Sequence, residues 1–577
     1  MKLLFDIETD GYLEDFTQVW CVGLQEVGGT PEIYHDYPEY PGAGTLKEAY
    51  AKLTSADTLI GHGIRRFDVP VLRKVGVNFP QNQEHWDTLV VARLIFPWIE
   101  DTDYSRRGFP RKFWGKHNLE AWGLRLTDSK IQFEEFSEFS QDLLDYCVQD
   151  VRVMDKLYSL LVSQKWPEES IQLEHDFADL IARQMERGVG FDLDAAESLS
   201  MRLSSELQVA KERVESGFEP LVKRWVTPKR KLQRSKEIPV NAGSRVQLAK
   251  ALVSQYGWQP SSYTNTGHPQ LDEAGLESIP ESCPVKQDII LYFQTQKILG
   301  RLLTGPKALI KHCKSVEDHH RVFHHVNHNG ARTGRCTHSV VANIPRVGSN
   351  WGQELRALFI PRPGWVMVGA DVDGIEARAL AHYLVPYDNG ALVKRVLNGD
   401  IHTENQKMVG LDTRQGAKNS LYAVMYGASG PKVGAMNGLS EEEGWLIRKK
   451  ILASVPGLEA LIEDVKGVYS ERGYLIGLDR RRIKPDGSSK ALNALIQSAG
   501  ALVMKKAALI LEEKTASLEA HQVIHYHDEY EYECPPELAQ DVSCWMVESI
   551  VRAGEQLGME CPLGASAATG ANWAEVH

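Results

Sequence analysis

The sequence predicts a multidomain chain of mixed α/β and α+β class, and three observations carry that expectation. At 577 residues the chain exceeds what one hydrophobic core supports, and length alone suggests roughly four domain-sized units. Its first 165 or so residues alternate short apolar strands with helical periodicity, an α/β pattern. Beyond Trp166-Pro167, amphipathic helical stretches give way to two isolated strand-like segments that each end in aspartate. The composition, 43% hydrophobic and 25% charged, is that of an ordinary globular protein and excludes disordered and fibrous classes.

Taken in order, Lys2–Ile7, Val19–Glu26 and Leu59–Gly61 read as strands from their short apolar runs, and Asp87–Ile95 as a helix. Residues 168–215 are helix-rich, with Leu173, Phe177, Leu180, Ile181 and Met185 at spacings of three and four. Trp365–Ala370 and Gln522–Tyr526 read as strands, and 412–426 and 489–513 as helices. No run of 18 apolar residues occurs and mean hydropathy is −0.31, so no segment is expected to span a membrane. The N-terminus turns acidic at Asp6 and Glu8 before a signal-peptide core could develop, which predicts a cytoplasmic location. Eight cysteines contain no C-x-x-C pair, against a zinc ribbon or a disulfide framework.

The net charge of −12 taken alone argues against a nucleic-acid partner, yet counterion release depends on local phosphate contacts and not on the total. The most basic stretch, 223–236, holds Lys223, Arg224, Lys229, Arg230, Lys231, Arg234 and Lys236 with no acid among them. A solvated loop is the usual fate of such a run; phosphate contact by Lys229, Arg230 and Lys231 is the functional alternative. The histidines at 319, 320, 324 and 325 lack companions at ligand spacing and read as structural.

Asp6-Ile7-Glu8 alternates along a strand, which points both carboxylates to one face. Asp101-x-Asp103 and Asp192-x-Asp194 share the pattern, so the pair alone says little. Tyr146 and Asp150 are four apart on a helical stretch and share a face, and Asp68 supplies a fourth carboxylate after the apolar Leu59-Ile60. Four acids brought together raise one another's pKa unless divalent cations neutralise them. Such a site suits two-metal phosphodiester hydrolysis, with Tyr146 orienting the water. Four unrelated surface acids are the bland alternative.

A second constellation begins at Val366-Met-Val-Gly-Ala-Asp371-Val372-Asp373-Gly-Ile-Glu376, an apolar strand ending in carboxylates. Arg414, Lys418, Tyr422 and Tyr426 follow at steps of four, sweeping one broad helical face. Two cations then two aromatics suit a nucleoside triphosphate: cations for its phosphates, rings for base or sugar. Tyr526-His527-Asp528-Glu529 closes a second strand with further carboxylates, so Asp371 and Asp528 could share a metal pair.

Asp6, Glu8, Asp68, Tyr146 and Asp150, in this order, resemble the DEDD-type 3′→5′ proofreading exonucleases of the tyrosine-bearing subclass, which have an RNase H-like fold. The second constellation resembles the family A, polymerase I-like DNA polymerases across nearly the whole chain. Glu174–Asp192 is similar to the helix that opens that polymerase domain, and Asn241-Ala-Gly-Ser-Arg245 to a thumb element. Thr333-Gly334-Arg335 matches the primer–template motif, and Asn493-x-x-x-Gln497-Ser-Ala-Gly a helix near the primer terminus. The ending Gly570-Ala-Asn572-Trp573-x-x-x-His577, with Gly-Asp-Ile-His-Thr at 399–403, is closest to replicative polymerases of short-tailed bacteriophages.

The resemblance implies an exonuclease domain over 1–165 and a right-hand polymerase domain over 166–577: thumb about 195–330, palm about 331–400 and 476–577, fingers about 401–475. It implies that Asp371, Asp528 and the Val372 carbonyl bind two Mg²⁺, with Mn²⁺ as a substitute, and that Asp6, Glu8, Asp68 and Asp150 hold a second pair. Arg414, Lys418 and His402 would hold the dNTP phosphates, and Lys418 would protonate the leaving pyrophosphate. Glu376 would exclude a 2′-hydroxyl, Tyr426 would pack by the templating pair, and Tyr422 would govern dideoxynucleotide tolerance. Arg335, Asn493 and Gln497 would meet primer–template DNA, and His527 and Glu529 the primer end. The implied partners are DNA, dNTPs, a replicative helicase–primase and a single-stranded DNA-binding protein, with the enzyme monomeric in an infected bacterial cytoplasm.

Departures from the family pattern are Gly63 in place of a frequent asparagine, Asp373-Gly374 in place of Ser-Gln, and a shortened Val340–Pro345 segment. With the exonuclease motif starting at residue 6, the 5′-nuclease domain of bacterial polymerase I is expected to be absent. The long insertion of thioredoxin-using relatives is replaced by the basic stretch, which predicts no thioredoxin dependence. Three other readings stay open: a nuclease whose second half only grips DNA, a single-subunit RNA polymerase, and a noncatalytic scaffold.

Overall fold

A computed structural model describes every residue except 127–132, 134, 227–232, 261, 265, 266, 400–405 and 408. The chain divides into two compact units, Met1–Gly188 with His325–His338 and Pro361–His577, and Val189–His324 with Ser339–Ile360.

In the first unit, five strands order as β3-β2-β1-β4-β5: β1 (Lys2–Thr9), β2 (Val19–Glu26), β3 (Glu32–Tyr34), β4 (Thr58–Gly61) and β5 (Glu84–Asp87). β1 runs antiparallel to β2 and parallel to β4. Both faces of β1 are covered: Leu3, Phe5 and Ile7 enter one core, while Leu4 enters another with Val151, Met154 and Leu157 of the helix Gln141–Ser163. The strand's period of two therefore sends Asp6 and Glu8 to the face that this helix covers. Gly23 on β2, opposite Asp6, makes the approach close. A Cβ there would lie 2.9 Å from Val151 Cγ2 and 3.0 Å from Cys147 Sγ.

Further along, strands His521–Tyr526, Glu529–Cys534, Val366–Val372 and Ala565–Gly570 form a four-stranded antiparallel sheet in that order. The helices Ala491–Thr515 and Ala539–Gln556 pack on it through Val503, Met504, Ala507, Val542 and Met546. The segment Ser488–Thr515 is long and apolar enough to cross a membrane, but 83% of its most apolar window is buried inside the protein, so it serves as a core helix. A separate helical core, with Leu380, Leu384, Leu421, Val424, Leu458 and Leu461, supports the helix Arg414–Met425.

The second unit packs helices Leu193–Ser216, Arg245–Tyr256 and Lys286–Leu299 around Val214, Leu248, Leu252, Trp258 and Ile289. It starts at Val189 and leaves out His325–His338, which forms a hairpin of the first unit. The described residues of the basic stretch, 223–226 and 233–236, lie in a two-stranded ribbon, Leu221–Val226 with Gln233–Ile238.

Candidate active sites

The helix Gln141–Ser163 begins at Ser140, whose hydroxyl accepts from the Leu143 N–H. It lays Tyr146, Cys147 and Asp150 over Asp6 and Glu8. Ligand atoms of Asp6, Glu8 and Cys147 lie within 4.8 Å of one another, and the Cys147 thiol approaches the Asp6 carbonyl at 3.8 Å. Tyr146 hydrogen-bonds Asp150; burial first, and then the charges of Asp150, Glu8 and Asp6, hold its hydroxyl protonated. Asp68 opens the short helix Asp68–Lys74, and its carboxylate accepts from the Ile7 N–H, between the two β1 acids. Burial and the nearby Asp87 push the Asp68 carboxyl up to about 7. Asp6, Glu8, Tyr146 and Asp150 thus gather as read from sequence, with Asp68 alongside. Cys147, not Asp68 or Asp150, completes the tightest triad among the described residues.

Sequence reasoning missed three contributors. Buried Asp87 accepts from the N–H groups of Gly63 at 2.8 Å and Leu89 at 2.9 Å, so it fixes the loop that leads to Asp68. Gly63 pins that loop through its backbone N–H, at φ 80°, in the left-handed region that favours glycine. Phe133 and Phe136 stand beside Tyr146, ring centroids 5.6 and 5.7 Å away. Their three-residue spacing with Phe139 was the available signal.

In the second sheet Asp371 pairs across the strands with Glu529, and the Val372 N–H donates to the Asp528 carbonyl at 3.2 Å. Asp528 sits in the two-residue turn between His521–Tyr526 and Glu529–Cys534, where His527 adopts φ 59°. Backbone held in this left-handed region is uncommon outside glycine and is characteristic of strained functional turns. Burial, then Asp528 and Glu529, push the Asp371 carboxyl up to about 6. The His577 imidazole Nδ1 lies against the Glu529 carboxylate. Such mutual repulsion is the signature of a site that suits a divalent cation. Asp373 is turned to other work: its carboxylate accepts from the Ser566 hydroxyl at 3.2 Å and its carbonyl from Arg378 Nε at 2.6 Å.

Glu376 accepts from the Tyr426 hydroxyl and faces Arg335 at 3.5 Å. Tyr422 and Tyr426 have ring centroids 6.2 Å apart, and Lys418 Nζ lies 6.0 Å from the Tyr422 ring. The two tyrosines line a cavity of about 540 Å³ with Asn419, Lys432 and Ser489. On the Arg414–Met425 helix Ala417, Leu421 and Val424 are buried, which leaves Arg414 exposed and Lys418 half-buried. Asn493 and Gln497 are half-buried on Ala491–Thr515. His402, Lys229, Arg230 and Lys231 lie outside the described residues.

Beneath Thr333-Gly334-Arg335 is a buried charge cluster that no motif revealed. Glu174 accepts from Lys505 Nζ at 2.6 Å and lies 2.8 Å from Arg481 Nη1, and Arg481 also pairs with Asp479 at 2.7 Å. A Cβ on Gly334 would sit 2.7 Å from that guanidinium.

The profile of DNA polymerase family A matches residues 211–575. The DNA-directed DNA polymerases of Enterobacteria phage T3 and Escherichia phage T7 are each 30% identical over 708 aligned positions, spanning all of this chain and all of theirs. The chain belongs to DNA polymerase family A. A thermostable DNA polymerase I of Thermus filiformis is 28% identical over 76% of this polymerase and 52% of its own length. Among solved structures, the POL domain of Pol1 from M. smegmatis, in complex with DNA primer-template and dNTP, superposes with a TM-score of 0.76 at 18% identity, covering 99% of this chain and 96% of that one. That likeness concerns the fold.

Proposed function

We propose that this family A polymerase extends a DNA primer along a template with dNTPs and removes 3′-terminal nucleotides at a second, separate site, replicating a phage genome. The observation that carries the reading is the pair of carboxylate centres: Asp6 and Glu8 under Tyr146–Asp150, and Asp371 with Asp528. Residues 1–165 then act as the exonuclease domain, and 166–577 as the polymerase domain with the palm, fingers and thumb intervals given above.

Both carboxylate sets are hard oxygen donors and fit Mg²⁺ or Mn²⁺; Asp371, Asp528 and the Val372 carbonyl would hold the ions at one site, Asp6, Glu8, Asp68 and Asp150 at the other. Bound there, the cations supply charge stabilisation to the attacking and leaving oxygens. The protein's own groups do the rest. Arg414 and Lys418, one helical turn apart, would grip the triphosphate, and Lys418 would give the leaving pyrophosphate its proton. Glu376, anchored by Tyr426 and Arg335, presents a fixed carboxylate against a 2′-hydroxyl. At the other site the protonated Tyr146 would orient the attacking water.

In the thumb ribbon Lys223 stands directly opposite Lys236. Like charges so placed repel, which favours an anionic partner; with Lys229, Arg230 and Lys231 following in the same sequence stretch, that partner is the DNA backbone.

A 5′-labelled primer–template with Mg²⁺, with and without the four dNTPs, tests the whole reading on a denaturing gel. Extension with dNTPs and shortening without them are expected. Shortening in both lanes would reduce the second site to DNA gripping.

A further inference from the structure

The exonuclease domain carries a basic, aromatic loop that neither active site uses. Residues 106–116 hold Arg106, Arg107, Arg111, Lys112 and Lys116 with no acid, in a chain of net charge −12. All five side chains are exposed. Tyr104, 74% exposed, meets Trp114 edge-on at 5.3 Å, and the Arg111 guanidinium lies 5.7 Å over the Trp114 ring.

The loop is built to hold one shape. Asp103, wholly buried, accepts from Arg125 Nε at 2.9 Å and Nη2 at 2.7 Å and from the Gly115 N–H at 3.0 Å. Arg125 also donates to the Phe113 carbonyl at 3.3 Å, and Arg106 returns to the Arg125 carbonyl at 3.1 Å. A buried ion pair is an expensive way to gain stability, but here it closes both ends of the loop and presents its cations outward. Of the acids nearby, Asp101 pairs with Arg332 at 2.5 Å. That last pairing joins the short helix Ile99–Ser105 to the residue preceding Thr333-Gly334-Arg335.

We propose that this loop is a single-stranded DNA site, which takes the frayed primer strand beside the Thr333–Arg335 motif on its way to the exonuclease carboxylates. The inference rests on the polymerase reading above. An exposed tyrosine beside a half-buried tryptophan with an arginine over its ring suits unpaired bases, and the surrounding cations suit their phosphates, a combination that a duplex backbone would not need. An acidic protein segment would be drawn by the charge alone and is the competing occupant.

The test is fluorescence-anisotropy binding of a labelled oligo-dT strand by the full-length chain across a salt series. Arg107→Ala/Arg111→Ala/Lys116→Ala removes three cations that make no hydrogen bond within the anchor. The slope of log affinity against log salt should become shallower by about 2, since each phosphate neutralised on a single strand accounts for about 0.7. Arg107→Lys/Arg111→Lys/Lys116→Arg should restore the slope, which separates missing charge from a damaged fold. Tyr104→Ala should weaken binding several-fold at every salt concentration with the slope unchanged. A triple-alanine slope equal to wild type would overturn the proposal and leave the loop to an acidic partner. Wild-type chain that binds no DNA at all would instead sink the polymerase reading beneath it.

Discussion

Under the proposed assignment, Asp68 and Asp371 set the pH behaviour of the two sites. Each carboxyl is raised, to about 7 and about 6, and each must lose its proton to take a cation. Metal affinity therefore falls as pH drops through the raised value, and the exonuclease site should fail first. At subsaturating Mg²⁺, shortening should decline between about pH 8 and 6 and extension about one pH unit lower, between about pH 7 and 5, and added Mg²⁺ should rescue both; parallel decline would contradict the assignment. Glu376 allows a second residue-level expectation. Hydrogen bonds to charged groups are worth about 1.5–3 kcal/mol, so Glu376→Ala should relax discrimination against ribonucleotides by roughly 10- to 100-fold. Tyr426→Phe, which removes one of the two anchors, should have an intermediate effect. The acids and the Arg–Lys–Tyr series were legible in sequence because their spacing follows strand and helix periods. Asp87, Glu174 and Arg481 were not, since what defines them is a partner tens or hundreds of residues away.

At the scale of elements, Gly23 decides how closely the Gln141–Ser163 helix lies on the sheet. Gly23→Val would push against Val151 and Cys147 at distances near 3 Å, a form of overpacking that costs about 1–3 kcal/mol. Because the same helix carries Tyr146 and Asp150, shortening should fall at least roughly tenfold while extension continues, as read by the two-lane gel. The Glu174–Lys505–Arg481 cluster makes a complementary case. Breaking a buried ion pair costs about 3–5 kcal/mol, so Lys505→Met should lower the urea midpoint of the polymerase domain markedly; an unchanged midpoint would show that Arg481 alone satisfies Glu174. Lys2–Thr9 and Val19–Glu26 could be read from sequence because both are apolar runs flanked by polar turns. The strands Glu84–Asp87 and Ala565–Gly570 could not: one is four largely polar residues, the other mostly small ones, and only pairing with β4 and with Val366–Val372 makes them strands.

For the whole molecule, what is missing relative to its kin is as informative as what is present. The alignments to the T3 and T7 polymerases run over 708 positions against 577 residues here, which leaves about 130 positions where this chain has no residue. Between the helix Leu193–Ser216 and Asn241, where thioredoxin-using relatives carry a long insertion, there is room only for the ribbon Leu221–Val226/Gln233–Ile238 and its connections. Each strand of that ribbon is six residues long, and its cations, Lys223 facing Lys236, suit phosphate. Processivity should then come from the chain's own basic groups and depend on salt. In primer extension with a DNA trap, so that each product records one binding event, excess thioredoxin should leave the length distribution unchanged. Lys229→Ala/Arg230→Ala/Lys231→Ala should shorten the products and flatten their salt dependence by about 0.9 for each duplex phosphate that is no longer neutralised. A severalfold lengthening by thioredoxin would mean that a clamp site exists on a surface other than this ribbon. Unchanged products from the triple variant would return these three residues to solvent.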